Sequence, residues 1–313
     1  MNQVVGRKPR IAIALGSGSA RGWAHIGVIQ GLKAMGIEPD IVAGSSVGAL
    51  VGAAYAADQI DRLEDWTRKL NWKGILKYLD PSLLGGGFIE GEKLSGLVAE
   101  YVKDLDFEAL PRRLGVVATE LETGREIWFR EGSVMEAVRA SISLPGLFTP
   151  MLHEGRWLVD GGLANPVPVS LCRAMGADMV IAVNLNGDLL GRYFRRTDRK
   201  PEDEDTEGEG LFWERIAEQV KSSLNTRKDL IFSRLFGEGK DTPGLYEVLA
   251  SSINIMQDRI TRSRMAGDPP DIILTPRLSH LGLMEFDRAA MAIEEGHASV
   301  QRMRPALEEM MAG

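Results

Sequence analysis

Two short apolar runs, Ile11-Ala12-Ile13-Ala14-Leu15 and Ile41-Val42-Ala43, are each followed by a helical pattern. Over residues 23–35 the apolar side chains Ile26, Ile29 and Leu32 recur on one face, and Gly36 supplies a stop. Residues 47–57 form a helical stretch of mostly small side chains. Strand, helix, strand and helix in so few residues imply a βαβ unit, because parallel neighbours need a crossover connection. The chain therefore reads as α/β, with a mainly parallel central sheet.

The pattern continues downstream. Residues 61–70 read as helix, 80–91 as a loop around Gly85-Gly86-Gly87, and 91–102 as helix again. Apolar runs at 114–121 and 126–129 flank Thr123-Gly124, a hairpin signal. Residues 134–142 are a helix stopped by Pro145-Gly146, and Trp157-Leu158-Val159 is a short strand end. Residues 170–175 read as helix and 179–183 as a buried strand. Composition then changes: 200–209 is acidic with no large apolar residue, a surface-loop signature. Residues 211–236 are amphipathic, with two readings: an interfacial lid that meets lipid, or a helix packed on the core or on another subunit. Residues 271–274 read as a late strand and 284–311 as helix. The expected division is a core at 10–190, a charged and helical insertion at 191–270, and a return to the same domain at 271–313.

The net charge of -7 argues against a nucleic-acid partner, which needs a basic face. The single cysteine, Cys172, forbids an internal disulfide and fits a reducing compartment. It lies in the apolar stretch Val169-Ser170-Leu171-Cys172 and reads as core. The first ten residues are polar and only five apolar residues follow, so no signal peptide is expected. No stretch approaches the ~20 apolar residues of a membrane span. The expectation is a cytoplasmic protein, peripheral to the inner face of the membrane at most, with homo-oligomerisation left open.

Three segments carry chemistry. Gly44-Ser45-Ser46-Val47-Gly48 matches G-x-S-x-G, the sharp strand-to-helix turn that exposes a nucleophilic serine. The helix that follows points its N-terminal dipole at developing negative charge. Upstream, Gly16-Ser17-Gly18-Ser19-Ala20-Arg21-Gly22 also joins a strand to a helix, and such turns present backbone N–H groups to an anion. A dinucleotide fingerprint would need glycine where Arg21 stands. Asp160-Gly161-Gly162 follows an apolar strand end and by itself reads as an ordinary Asp-Gly turn.

In this order and spacing, the three segments resemble the patatin-like phospholipase family, in its small single-domain bacterial branch. The resemblance is detailed at Ala20-Arg21-Gly22-Trp23-Ala24-His25-Ile26-Gly27-Val28, Ala43-Gly44-Ser45-Ser46-Val47-Gly48-Ala49-Leu50, Ala140-Ser141-Ile142-Ser143-Leu144-Pro145-Gly146 and Val159-Asp160-Gly161-Gly162-Leu163-Ala164-Asn165-Pro166. It implies a three-layer α/β/α patatin-like fold and acyl-lipid or phospholipid hydrolysis by a Ser–Asp dyad, with Ser46 as nucleophile and Asp160 as base. It also implies an oxyanion hole at the N–H groups of Gly18 and Ser19, with Arg21 and Gly22 completing the turn. Gly44 and Gly48 form the elbow. No metal or cofactor is implied. Ser17 and Ser19 stand where the family pattern has glycine, which bears on rate and substrate range.

A serine hydroxyl needs a base to become a useful nucleophile. A carboxylate of ordinary pKa is a weak one, and burial would strengthen it. A histidine triad could draw only on His25, His153, His280 or His297. Arg21 has two candidate roles, bonding loop carbonyls or meeting a phospholipid phosphate. A regulatory or scaffold module that keeps the motifs as structural turns is the non-enzymatic alternative.

Overall fold

A computed structural model describes residues 9–70, 87–89, 105–188 and 245–312. The helix read at 91–102, the acidic segment at 200–209, the amphipathic stretch at 211–236 and most of the loop at 80–91 lie outside the described residues.

Strand β1 (Ile11–Leu15) leads through a 3-10 turn at Ser19–Trp23 into α1 (Ala24–Ala34). Gly36 ends that segment in the left-handed region, at φ 75°. Then come β2 (Ile41–Ser45), α2 (Val47–Ala56) and α3 (Ile60–Lys69). β3 (Gly87–Ile89) falls inside the expected loop at 80–91. That expectation is corrected, since a three-residue strand carries too little alternation to read. β4 (Arg113–Glu120) and β5 (Glu126–Phe129) form the expected antiparallel hairpin. Next is α4 (Val134–Ser141), capped where the Ser133 hydroxyl accepts from the Glu136 N–H. β6 (Gly146–Phe148), which pairs with β3, is followed by β7 (Met151–His153), β8 (Arg156–Asp160), α5 (Val169–Ala174) and β9 (Met179–Val183). The last elements are α6 (Leu245–Gly267), β10 (Ile272–Leu274), α7 (Ala289–Arg302) and α8 (Arg304–Ala312).

The main sheet runs β10-β9-β1-β2-β4, all parallel, and then turns antiparallel through β8 and β7. Alternation along β1 divides the core. Ile11, Ile13 and Leu15 face α1, α2 and α7, while Ala12 and Ala14 face Val169, Leu171 and Cys172 of α5. Helices thus cover both faces of a largely parallel sheet, the three-layer α/β arrangement. Cys172 is fully buried in the second layer.

The single helix expected at 284–311 is divided into α7 and α8 at Met303. Pro305 explains the break. In an unbroken helix its ring would meet the carbonyl of Gln301, whereas in the first turn of a new helix its missing N–H costs nothing. Among the described residues no helix is long and apolar enough to cross a membrane.

Candidate active site

The strand registers bring two distant segments together. Ser45, at the end of β2, pairs with Val117 of β4, and Asp160, at the end of β8, pairs with Ala118. β5 pairs with these same residues of β4, so β2 and β8 must share the opposite edge. One runs parallel to β4 and the other antiparallel, so their C-terminal ends meet head to head. Ser46 and Asp160, 114 positions apart in the chain, emerge at that junction.

Ser46 sits at φ 57° and ψ -127°, a strained conformation for a residue with a side chain. The surroundings hold it there. A Cβ on Gly48 would come 2.1 Å from the Leu15 carbonyl oxygen, and one on Gly44 would come 2.4 Å from the Gly48 carbonyl oxygen. The bend therefore closes only with glycine at both places. The Ser46 N–H donates to the Ser141 hydroxyl at 2.8 Å, and that hydroxyl donates to the Val117 carbonyl at 2.6 Å. Ser141 thus ties the elbow to β4.

The Ser46 hydroxyl donates to Asp160 Oδ2 at 2.5 Å. The other carboxylate oxygen, Oδ1, accepts from the Gly162 N–H at 2.7 Å. The backbone of Asp160 is held as well. Its N–H donates to the Ser143 carbonyl at 2.9 Å and its carbonyl accepts from the Thr119 hydroxyl at 2.8 Å. Asp160 is 1% exposed. Burial raises its pKa from 3.8 to about 6, against the opposing pull of its bonds to Ser46 and Gly162. A carboxyl with such a pKa is mostly ionised at neutral pH, and it is a stronger base than an exposed aspartate.

The glycine-rich loop follows β1 and is pinned at its start. The Gly16 N–H donates to the Val183 carbonyl and the Ser17 N–H to the Pro166 carbonyl. The His25 Nε2–H donates to the Gly16 carbonyl at 2.8 Å, and burial lowers the His25 pKa to about 4, so the ring is neutral at pH 7. The Ala20 N–H is taken by the Leu283 carbonyl and the Arg21 N–H by the Gly18 carbonyl. Among the described residues no acceptor meets the N–H groups of Gly18 and Ser19. Gly22 packs its backbone against Val47, at the start of α2. The Arg21 guanidinium is buried and donates to Asn254 Oδ1 at 3.2 Å.

Ser46, Asp160, Ser17, Gly18 and Ser19 share one cleft, walled by apolar side chains that include Trp23, Leu50, Trp66, Leu147, Phe148 and Phe286. Among the described residues no histidine lines it. His153 lies beside Glu136 and Phe129, and His280 contacts Met291, so neither can relay a proton to Ser46. Sequence reasoning singled out Ser141 only as part of the resembling segment 140–146, with no role, and missed Thr119, Asn254 and Gln257. The last two arrive from α6 (Leu245–Gly267), a helix the sequence reading did not identify within the broad insertion expected at 191–270.

A family model described as patatin-like phospholipase matches residues 13–173. An uncharacterised NTE family protein of Mycobacterium bovis is 35% identical over 334 aligned residues, spanning 96% of this chain and 92% of its own length. Patatin-like phospholipase domain-containing protein 6 of Homo sapiens is 30% identical over 67% of this chain, which corresponds to 16% of that longer protein. Lysophospholipase nte1 of Emericella nidulans is 31% identical over 56% of this chain. Among solved structures, VipD from Legionella pneumophila aligns with 95% of this chain at a TM-score of 0.48 and 14% identity. The family match and these relatives support a lipid hydrolase function. The chain belongs to the patatin-like phospholipase family.

Proposed function

We propose that this protein is a serine acyl hydrolase that cleaves a carboxylic ester of a lipid with Ser46 as nucleophile and Asp160 as its base. The observation that carries the reading is the 2.5 Å hydrogen bond from Ser46 Oγ to a buried carboxylate, at the floor of an apolar cleft.

The chemistry follows from the contacts. Ser46 Oγ attacks the acyl carbonyl carbon while its proton passes to Asp160 Oδ2. The carbonyl oxygen becomes an oxyanion, which the N–H groups of Gly18 and Ser19 receive together with the N-terminal dipole of α2. Such donors contribute roughly 3–4 kcal/mol each in comparable hydrolases. As the intermediate collapses, Asp160 returns the proton to the departing alcohol oxygen and an acyl-Ser46 ester remains. Water then attacks that ester, giving its proton to Asp160. The second intermediate collapses to a free fatty acid as Ser46 Oγ recovers the proton. No step calls for a metal or a cofactor. The apolar walls suit an acyl chain. Arg21, buried and bonded to Asn254, supports the loop rather than the phosphate of a substrate. The substrate is an acyl lipid or phospholipid, met through transient contact with a membrane surface.

The test is hydrolysis of a short-chain nitrophenyl ester by the wild type, Ser46→Ala and Asp160→Asn, with folding checked by circular dichroism. Both variants should fall to background. Full activity in both folded variants would sink the reading. Ser46-dependent labelling by a fluorophosphonate probe separates an enzyme from a catalytically silent scaffold.

A further inference from the structure

The serine at position 17, where the family pattern has glycine, has a partner. Its hydroxyl donates to Gln257 Oε1 at 3.1 Å, across 240 positions of sequence. The same oxygen accepts from Asn186 Nδ2 at 3.2 Å. All three side chains are buried: Ser17 is 2% exposed, Gln257 5% and Asn186 1%. The other end of the amide is also placed. A Cβ built on Gly162 would lie 2.5 Å from Gln257 Nε2 and 2.9 Å from Asp160 Oδ1. One side chain of α6 therefore reaches both the glycine loop and the Asp160 turn. A second tie from the same helix runs one turn earlier, where Asn254 accepts from Arg21.

A glycine at position 17 would offer α6 nothing to hold. The loop beyond it, Gly18-Ser19, would then be fixed at its start only through backbone groups, the Gly16 and Ser17 amides and the Gly16 carbonyl that accepts from His25. The hydroxyl adds a side-chain anchor immediately before Gly18 and Ser19, the two cleft-lining residues whose N–H groups the proposed mechanism uses. Preorganised donors accelerate a reaction only if they already stand where the negative charge develops. An anchor one residue away from the first of them bears directly on that condition.

We propose that Gln257 is a positioning residue for the hydrolysis, holding Ser17 so that the Gly18 and Ser19 amides stay aimed at the oxyanion. This rests on the Ser46–Asp160 reading. The serine at position 17 and Gln257 act as one unit, and α6, which lies beyond the residues 13–173 matched by the family model, belongs to the catalytic apparatus.

The experiment measures kcat and KM for a nitrophenyl ester in Gln257→Ala, Ser17→Ala and the double variant. Each rate is normalised to the number of sites titrated by a fluorophosphonate, so that partial unfolding does not enter. A misaimed donor costs less than a deleted one, so each single variant should lose about tenfold in kcat per site with KM within about twofold. The double variant should be no slower than either single one, because both break the same contact. Unchanged kcat per site in both single variants would overturn the inference, as would multiplicative losses in the double variant. Should Gln257→Ala fail to fold, Ser17→Ala, which removes only a hydroxyl, carries the test through the same kcat-against-KM split. Ser46→Ala serves as the control: if it keeps wild-type turnover, the dyad reading has failed; if it is inactive while both single variants are normal, only the role of Gln257 has.

Discussion

Asp160→Asn should make the protein inactive and, above pH 7, more stable. In the folded chain the carboxyl has a pKa of about 6, raised by burial from 3.8. The folded state therefore holds that proton more tightly than the unfolded state does. Below about pH 4 both states are protonated and the site costs nothing. Between about pH 4 and pH 6 the unfolded chain gives up the proton while the folded chain keeps it, so stability is lost across that window and the full cost is reached once the buried carboxyl ionises above about 6. The gap between 3.8 and about 6 corresponds to about 3 kcal/mol at full ionisation. Asparagine cannot ionise, so the variant escapes that cost. Its contacts can survive, because Oδ1 still accepts from the Gly162 N–H and the Ser46 hydroxyl can turn to accept from the new amide. For a domain of this size each kcal/mol is worth about 2–4 °C in Tm, so a gain of several degrees at pH 8 is expected. Thermal unfolding of wild type and variant at pH 4, 6 and 8 checks it. An equal Tm at pH 8, or an advantage that fails to shrink between pH 8 and pH 4, would refute the claim that Asp160 ionises at a cost in the folded protein.

Other expectations follow from the same geometry. In the wild type, kcat/KM should fall about tenfold per pH unit below about pH 6, as Asp160 takes up its proton; a flat profile down to pH 5 would contradict its role as base. Gly48→Ala forces a Cβ against the Leu15 carbonyl and should cost about 1–3 kcal/mol in urea unfolding along with fluorophosphonate labelling of Ser46. Ser141→Ala leaves the Ser46 N–H and the Val117 carbonyl without their shared partner, so a loss of about 1–3 kcal/mol and slower labelling are expected.

Much of the α/β reading was legible because it is local. Helical spacing revealed α1, a run of small side chains α2, and short continuous apolar runs β1 and β9; Gly36 and Thr123-Gly124 marked turns, and the G-x-S-x-G spacing placed a strained serine between a strand and a helix. β3 and the division of the last helix were harder, the first for its brevity and the second because a single Pro305 outweighs continuous periodicity. Asp160-Gly161-Gly162 shows the limit. Its own residues describe only a turn, and its pairing with Ser46 came from resemblance.

The sequence by itself determined which short segments could bend, expose a hydroxyl or offer unpaired N–H groups, since those properties depend on neighbours a few residues away. Only the tertiary structure decided that β2 and β8 end against each other on one edge of β4, so that Ser46 Oγ meets Asp160 within 2.5 Å. It also decided that the Asp160 carboxyl is buried, which raises its pKa, and that Gln257 of α6 bonds Ser17 across 240 positions. Those outcomes depend on strand register and helix packing between residues far apart in the chain. Register is selected by the whole buried face of a sheet, and no local window of sequence contains it.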